Sequence, residues 1–117
     1  MNKWDVVLLS YPFTDLTSVK VRPAVVVSPT LQNQIGEDAT FVLITSNVLR
    51  YSPFDLIVQS NDPEFSKTGL LKDSTIRVNK VMTLNKRMVI KTIGKLDRNL
   101  ISAVEKCLRD FFELRTD

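Results

Sequence analysis

The chain has 117 residues, 44% of them hydrophobic, and a formal net charge of +3. This length supplies apolar material for one core, so we expect residues 1–117 to form a single domain. There is no histidine, and the one cysteine is Cys107. The sequence therefore excludes histidine-based proton transfer and nearly every transition-metal site. Its acidic residues are scattered singly, so we expect neither a metal ion nor another cofactor.

The N-terminal segment carries no sign of membrane targeting. No apolar run approaches the length that crosses a bilayer, and Asp5 follows Trp4 almost at the start of the chain. We expect a cytoplasmic protein with no membrane association. The modest positive charge favours an anionic partner, although many ordinary soluble domains are equally basic.

Short apolar runs rich in β-branched residues predict a mainly β fold. Residues 4–10 form the first predicted strand, and residues 11–18 form a loop with proline and hydroxyl residues. The polar residues 32–36 and the segment 67–73 are interpreted as irregular connections, because both contain turn-forming residues. Further strands are predicted at residues 22–28, 40–45, 54–58, 74–82 and 88–94.

The end of the chain predicts an amphipathic helix. Asp97 is a favourable N-cap, and apolar residues follow it at helical spacing from Leu100 to Leu114. Cys107 lies on the apolar face, which indicates a packed thiol and not a nucleophile. Packing of this helix on a small β-barrel is the natural assembly.

Polar side chains stand at the ends of two predicted strands. Arg22 opens the strand 22–28, and Thr45 and Ser46 close the strand 40–45. A guanidinium offers a planar fork of donors suited to a phosphate, and a hydroxyl pair beside it can bind the same anion. This pattern indicates a phosphodiester site. The alternative is structural, because an arginine before proline is often a solvated edge residue and Thr-Ser often begins a turn.

Other cations and aromatic residues are candidates for contacts to a longer nucleic acid. Arg77 and Asn79 share one face of the strand 74–82, and that face is predicted to point outward if the strand is regular. The candidate phosphate contacts are Lys20, Arg50, Arg77 and Lys80. The candidate stacking residues are Tyr11, Phe13, Tyr51 and Phe54, although Phe13 and Phe54 are better interpreted as core residues.

The order of these motifs resembles the MazF/PemK-like toxins of bacterial toxin-antitoxin systems, and the PemK-like branch in particular. The similar segments are Asp-Val-Val-Leu at 5–8, Tyr-Pro-Phe-Thr-Asp-Leu at 11–16, Arg-Pro-Ala-Val-Val-Val-Ser at 22–28 and Ile-Thr-Ser at 44–46. Weaker similarity extends over nearly the whole chain. The resemblance implies an SH3-like β-barrel with a C-terminal helix. It also implies a homodimer that cuts single-stranded RNA without a metal, and a cognate antitoxin that blocks it.

The resemblance also implies roles for individual residues. Arg22 and Thr45 match the catalytic arginine and threonine of the family. Arg77 matches an arginine that some relatives use, but Asn79 stands where those relatives have an acid. The proton acceptor is therefore open, with Asp15 as a speculative base that is better explained as a loop cap.

RNA cleavage by the ribose 2′-hydroxyl needs a proton acceptor, a proton donor for the leaving 5′-oxygen, and donors for the phosphate oxygens. Arg22 suits the last role, since its high pKa makes it a poor base. Thr45 is expected to hydrogen-bond the phosphate, with Ser46 in support and Asn79 among the substrate contacts. The competing hypotheses are a noncatalytic SH3-like binding domain and a toxin that poisons a protein such as DNA gyrase.

Overall fold

A computed structural model describes residues 1–12, 19–49 and 52–115. Within these residues six antiparallel strands form a curled, half-barrel sheet in the order β4-β5-β3-β2-β1-β6. The strands are β1 Asp5–Pro12, β2 Val19–Val26, β3 Asp38–Thr45, β4 Leu56–Val58, β5 Ser74–Asn85 and β6 Val89–Lys95. The helices are α1 Thr30–Ile35, α2 Phe65–Thr68 and α3 Arg98–Phe112, and a 3₁₀ turn spans Lys86–Met88.

Both faces of the sheet bury apolar side chains. Neighbouring residues of a strand point to opposite faces, so Val25 belongs to one core cluster and Val26 to the other. Helix α3 covers the first cluster with Leu100 and Val104, which are buried. Phe41 is the largest buried side chain of the second cluster. Burial on both faces explains why these strands read as continuous apolar runs.

The predicted fold class, mainly β with a C-terminal helix, is confirmed. Each of the six strands predicted from the sequence is present, although boundaries shift by two or three residues at several ends. Helix α3 begins after Asp97 as predicted, and the Asp97 carboxylate accepts a hydrogen bond from the Arg98 backbone N–H at 2.9 Å. Cys107 is half-buried and packs against the first core cluster. No helix of the described residues is long and apolar enough to span a membrane.

The interpretation of residues 32–36 and 67–73 as wholly irregular was wrong, because helix α1 extends to Ile35 and helix α2 extends to Thr68. Helix α1 buries one side chain, Asn33, and that side chain is polar. Its amide donates to the Ser28 carbonyl at 3.1 Å, and Lys86 Nζ donates to the Asn33 carbonyl at 2.8 Å. Hydrogen bonds of a polar residue therefore hold α1 against the sheet. Because the helix buries no apolar side chain, its sequence lacks the apolar periodicity that would have predicted a helix.

Helix α2 ends at a glycine that the packing requires. Gly69 has a φ of 74°, a left-handed conformation that glycine adopts without steric cost. A Cβ at this position would also collide with the Ile93 carbonyl of β6. The close approach of α2 to β6 fixes the loop after Gly69 beside the sheet, where it forms one wall of a pocket described below.

Candidate functional site

Strands β2 and β3 separate at one end, and Arg22 and Thr45 face each other there. The last paired residues are Ala24 and Leu43. Continuing that antiparallel register places Arg22 directly opposite Thr45, just beyond the paired region. The intervening Pro23 has no N–H to donate, which helps to end the ladder. The two residues predicted from separate strand ends are therefore brought together.

Arg22 is not at the start of its strand, as the sequence suggested. Strand β2 begins at Val19, and Arg22 is paired with Leu9 of β1. It is nevertheless an exposed residue. Arg22 thus has one strand neighbour on the β1 side and an opening on the β3 side. Because its backbone is paired with β1, the Arg22 side chain extends from a rigid part of the sheet.

A pocket of about 400 Å³ lies over this opening. Its polar side chains are three cations, Arg22, Arg77 and Lys80, together with the hydroxyl of Thr45. The remaining lining residues are Leu43, Ile44 and Met82. We call this the cationic pocket. No carboxylate is among its described lining residues, so the pocket favours an anion.

A second pocket of about 390 Å³ shares Arg22 with the cationic pocket. We call it the apolar pocket, because its lining includes Leu8, Pro23, Ile44, Leu70 and Ile93. Polar and charged side chains also reach it, from Ser46, Lys72, Ser74 and Lys91. Arg22 therefore stands between a cluster of cations on one side and a mainly apolar recess on the other.

Thr45 and Ser46 do not act as a pair in this arrangement. Thr45 lines the cationic pocket, whereas Ser46 lines the apolar pocket. Neighbouring residues of an extended chain point to opposite sides, so the predicted hydroxyl pair is divided between the two pockets. The Thr45 hydroxyl also accepts a hydrogen bond from the Asn47 N–H at 3.3 Å, as the turn interpretation expected. Because it is the acceptor there, its O–H group remains a donor.

An irregularity in β5 explains the placement of Arg77 and Lys80. Pairing with β3 jumps from Val42 opposite Val81 to Leu43 opposite Arg77. Residues 78–80 thus form a bulge between the two pairs, and bulges of this kind re-aim side chains. Arg77 lines the cationic pocket from within the paired part of β5, and Lys80 lines it from the bulge.

Arg77 and Asn79 alternate with the buried Ile76 and Val78, as expected for two residues on the opposite face, but neither is fully exposed. The Arg77 side chain is 22% exposed. Asn79 is half-buried, and its Oδ1 atom is buried without a hydrogen-bond partner among the described residues. Asn79 lines neither pocket, and nor does the exposed Lys20. Of the predicted substrate contacts, Ser46, Arg77 and Lys80 therefore lie at the two pockets.

Asp55 is a charged residue near the site that sequence reasoning missed. Its side chain is completely buried, and its Oδ2 atom lies 3.9 Å from Arg77 Nε. The same carboxylate accepts hydrogen bonds from the Ser52 N–H at 3.0 Å and the Ser52 hydroxyl at 3.4 Å. The available signal was an acidic residue at the edge of a short apolar strand, which alone indicates nothing more than a turn.

Several earlier candidates lie outside the described residues, namely Phe13, Asp15, Arg50, Tyr51 and the side chain of Tyr11. Phe54 is described, and it packs edge to face against Phe111 of α3 with ring centroids 5.5 Å apart. Phe54 is half-buried, so its ring makes a packing contact within the protein, although it lies outside the two core clusters. Within residues 1–12, 19–49 and 52–115, histidine, cysteine and carboxylate side chains form no group of three that could hold a metal ion.

Solved structures with this fold include bacterial toxins of low sequence identity. A mycobacterial endoribonuclease, solved in complex with its cognate antitoxin, superposes with a TM-score of 0.78 at 15% identity and covers 100% of this chain and 99% of its own. Mycobacterium tuberculosis toxin MazF-mt6 gives 0.76 at 16% identity, covering 96% and 99%. A MazE-MazF structure from Deinococcus radiodurans gives 0.78 at 15% identity, covering 98% and 97%. These likenesses establish the fold.

The sequence also matches a family model over residues 2–112, nearly its whole length. That model describes the PemK-like, MazF-like toxins of type II toxin-antitoxin systems. No curated protein sequence is similar enough to add a named relative. The match extends over all three strands that line the cationic pocket, β2, β3 and β5, and over helix α3. The chain therefore belongs to the PemK-like, MazF-like toxin family of type II toxin-antitoxin systems.

Proposed function

We propose that the protein is an endoribonuclease toxin that cuts single-stranded RNA without a metal ion. The observation that carries this proposal is the juxtaposition of Arg22 with Thr45 in a pocket that Arg77 and Lys80 also line. A phosphodiester placed there meets two guanidinium groups, an ammonium group and a hydroxyl. The lack of histidine and the single cysteine in the sequence favour a mechanism without a transition metal.

The nucleophile in this mechanism is the ribose 2′-hydroxyl of the substrate. Its oxygen forms a bond to the adjacent phosphorus while the bond from phosphorus to the 5′-oxygen breaks. The 2′-proton leaves to an acceptor, and the 5′-oxygen gains a proton. The products are a 2′,3′-cyclic phosphate and a 5′-hydroxyl.

Arg22 and Thr45 stabilise the charge that develops in this reaction. The planar fork of Arg22 matches two phosphate oxygens, and its high pKa suits it to hydrogen bonding or proton donation and not to proton removal. Thr45 donates its O–H to the phosphate. Preorganised donors of this kind act without reorganisation at the moment of reaction, so they lower the barrier effectively.

The apolar pocket gives the site a place for a nucleobase next to the phosphate. It adjoins the cationic pocket at Arg22, and apolar side chains such as Leu8 and Ile93 line it. Single-stranded RNA is recognised through unstacked bases that enter such recesses. Lys72 and Lys91 at the same pocket are placed for a neighbouring phosphate.

The family assignment and the surface also support two protein partners. We propose a cognate antitoxin that blocks the site, as expected for a type II toxin. We also propose a homodimer, supported by apolar side chains at the end of α3 that the monomer leaves exposed. Phe112 is 50% exposed and Leu114 is 59% exposed. Light scattering that finds only the 13.3 kDa monomer at micromolar concentration would contradict the dimer.

The direct test of the proposed activity is cleavage of single-stranded RNA by the purified toxin in EDTA. We expect cleavage by the parent protein, loss of cleavage in Arg22→Ala, and unchanged cleavage in Arg87→Ala. Arg87 is the control because it is exposed and lines neither pocket of the site. Cleavage that requires magnesium would contradict the metal-free mechanism. Failure to cut any RNA would contradict the proposed function as a whole.

A further inference from the structure

We propose that Asp55 is a positioning residue that holds Arg77 in the cationic pocket. The inference rests on the proposed function, since it gives Arg77 a role in binding the reacting phosphate. Asp55 lies one residue before β4, where Leu56 is paired with Ile76 of β5. Continuing that register places Asp55 directly opposite Arg77. The ion pair is thus built into the strand pairing.

The burial of Asp55 calls for a cation. Its side chain is fully buried, and a carboxylate taken out of water is costly unless a charged partner and hydrogen bonds compensate. Ser52 provides two hydrogen bonds, which a neutral asparagine oxygen would also accept. Capping of this turn therefore does not account for the charge. Arg77 Nε lies 3.9 Å from the carboxylate, which is too long for a hydrogen bond but close enough for the two opposite charges to attract.

Arg77 faces both the carboxylate and the pocket. Its Nε lies on the side of Asp55, and the same residue lines the cationic pocket, so a shift of the guanidinium at Asp55 would also be felt in the pocket. Asp55 also offsets part of the repulsion among Arg22, Arg77 and Lys80, which line one pocket. Removal of its charge should therefore let Arg77 move away from Arg22 when the phosphate is absent.

The test is a double-mutant cycle with Asp55→Asn and Arg77→Gln, measured by RNA cleavage. Each single variant is expected to lower kcat/KM by about tenfold or more. A cycle in which the two losses do not multiply then gives a coupling of about tenfold, which is in the range that contacting residues show. The double variant is expected to be no worse than Arg77→Gln alone, because Asp55 acts through Arg77. Independent, multiplying losses would overturn the proposal, and so would full activity of Arg77→Gln.

Controls separate positioning from folding and from failure of the proposed activity. Asp62→Asn alters another carboxylate that caps a turn, through the Glu64 N–H at 2.8 Å, and should leave cleavage unchanged. If Asp55→Asn does not fold, hydrogen exchange of the Arg77 Nε–H in the parent protein replaces it. Because Arg77 Nε is buried, slow exchange alone is expected, so the comparison is with Asp55→Ser: faster exchange in that variant than in the parent supports the pair, and equal exchange overturns it. A parent protein that cuts no RNA refutes the proposed function, whereas this exchange still reports on the pair.

Discussion

Two regions of the protein gather charged side chains and arrange them in opposite ways. At the start of α3, the Glu64 carboxylate accepts hydrogen bonds from the Asn99 and Leu100 N–H groups at 3.0 and 2.9 Å. Beside it, Asp97 caps the helix and forms an ion pair with Lys67. In the cationic pocket, Arg22, Arg77 and Lys80 line one cavity, and no carboxylate is among the described residues that line it with them.

The contrast separates a structural cluster from the one that we propose binds the substrate. At the helix start, hydrogen bonding to Lys67 lowers the pKa of Asp97, and the same bond raises the pKa of Lys67. Each charge there is stabilised within the protein. The cationic pocket instead places three cations around one cavity, an arrangement that an anion bound in the cavity would stabilise. Substitutions in the cationic pocket should therefore change RNA cleavage or binding, whereas substitutions at the helix start should change stability.

The largest expected effect is the loss of RNA cleavage in Arg22→Lys. Lysine keeps the positive charge but not the planar fork that binds two phosphate oxygens, so most of the activity should be lost while the fold is kept. The matched control is Lys67→Arg, which exchanges the same two residue types at the helix start and should leave cleavage unchanged. Full activity of Arg22→Lys would show that the charge alone is sufficient.

Thr45→Val should lower the cleavage rate by about 10²-fold, the usual effect of removing one transition-state donor. Stability should change little, because the two side chains have similar shape. Thr40→Val is the control, since the Thr40 hydroxyl lies on the same strand but contacts Thr83 at 2.8 Å. Equal cleavage rates for Thr45→Val and the parent would remove Thr45 from the site.

Lys80→Ala should weaken RNA binding and reduce its salt dependence. Loss of one phosphate contact to a single strand lowers the slope of log affinity against log salt by about 0.7. Lys106→Ala removes a lysine that is paired with Asp110 on α3 at 2.8 Å, and it should leave the slope unchanged. An unchanged slope in Lys80→Ala would indicate that the lysine serves solubility alone.

The smallest effect is expected at the helix start, where Asp97→Asn should alter stability but not cleavage. Asparagine retains the capping oxygen, so the substitution isolates the charge. Because folding lowers the Asp97 pKa below its unfolded value, its stabilising effect is present above about pH 4 and is lost as the pH falls below it. The difference in Tm between parent and variant should therefore shrink as the pH is lowered below about 4. A difference in Tm that stays constant over this range would contradict the account.

The sequence was sufficient to predict most of the sheet and to single out Arg22 and Thr45, which line the same pocket. Apolar runs mark strands that are buried on both faces, and the family resemblance singled out the two site residues. The mistakes have physical causes. Helix α1 was not predicted, because its one buried side chain, Asn33, is polar and hydrogen-bonded, so the segment has no periodic apolar pattern.

The bulge in β5 and the burial of Asp55 depend on contacts between distant parts of the chain. Arg77 and Lys80 are three residues apart and would lie on opposite faces of a regular strand, yet both line the cationic pocket. The shift in register between Val81 and Arg77 accounts for this. Asp55 lies next to Arg77 only because strands β4 and β5 are paired. Neither the register shift in β5 nor the contact of Asp55 with Arg77 can be predicted from the local sequence, because both depend on strand pairing.

The central claim is that the substrate supplies its own nucleophile within a metal-free site. The most direct measurement compares an RNA with the same RNA carrying one 2′-deoxy nucleotide at the cut, both incubated with the toxin in EDTA. The account predicts that the all-ribose RNA is cut to a 2′,3′-cyclic phosphate and a 5′-hydroxyl while the 2′-deoxy RNA resists. Equal cleavage of the two substrates would contradict it.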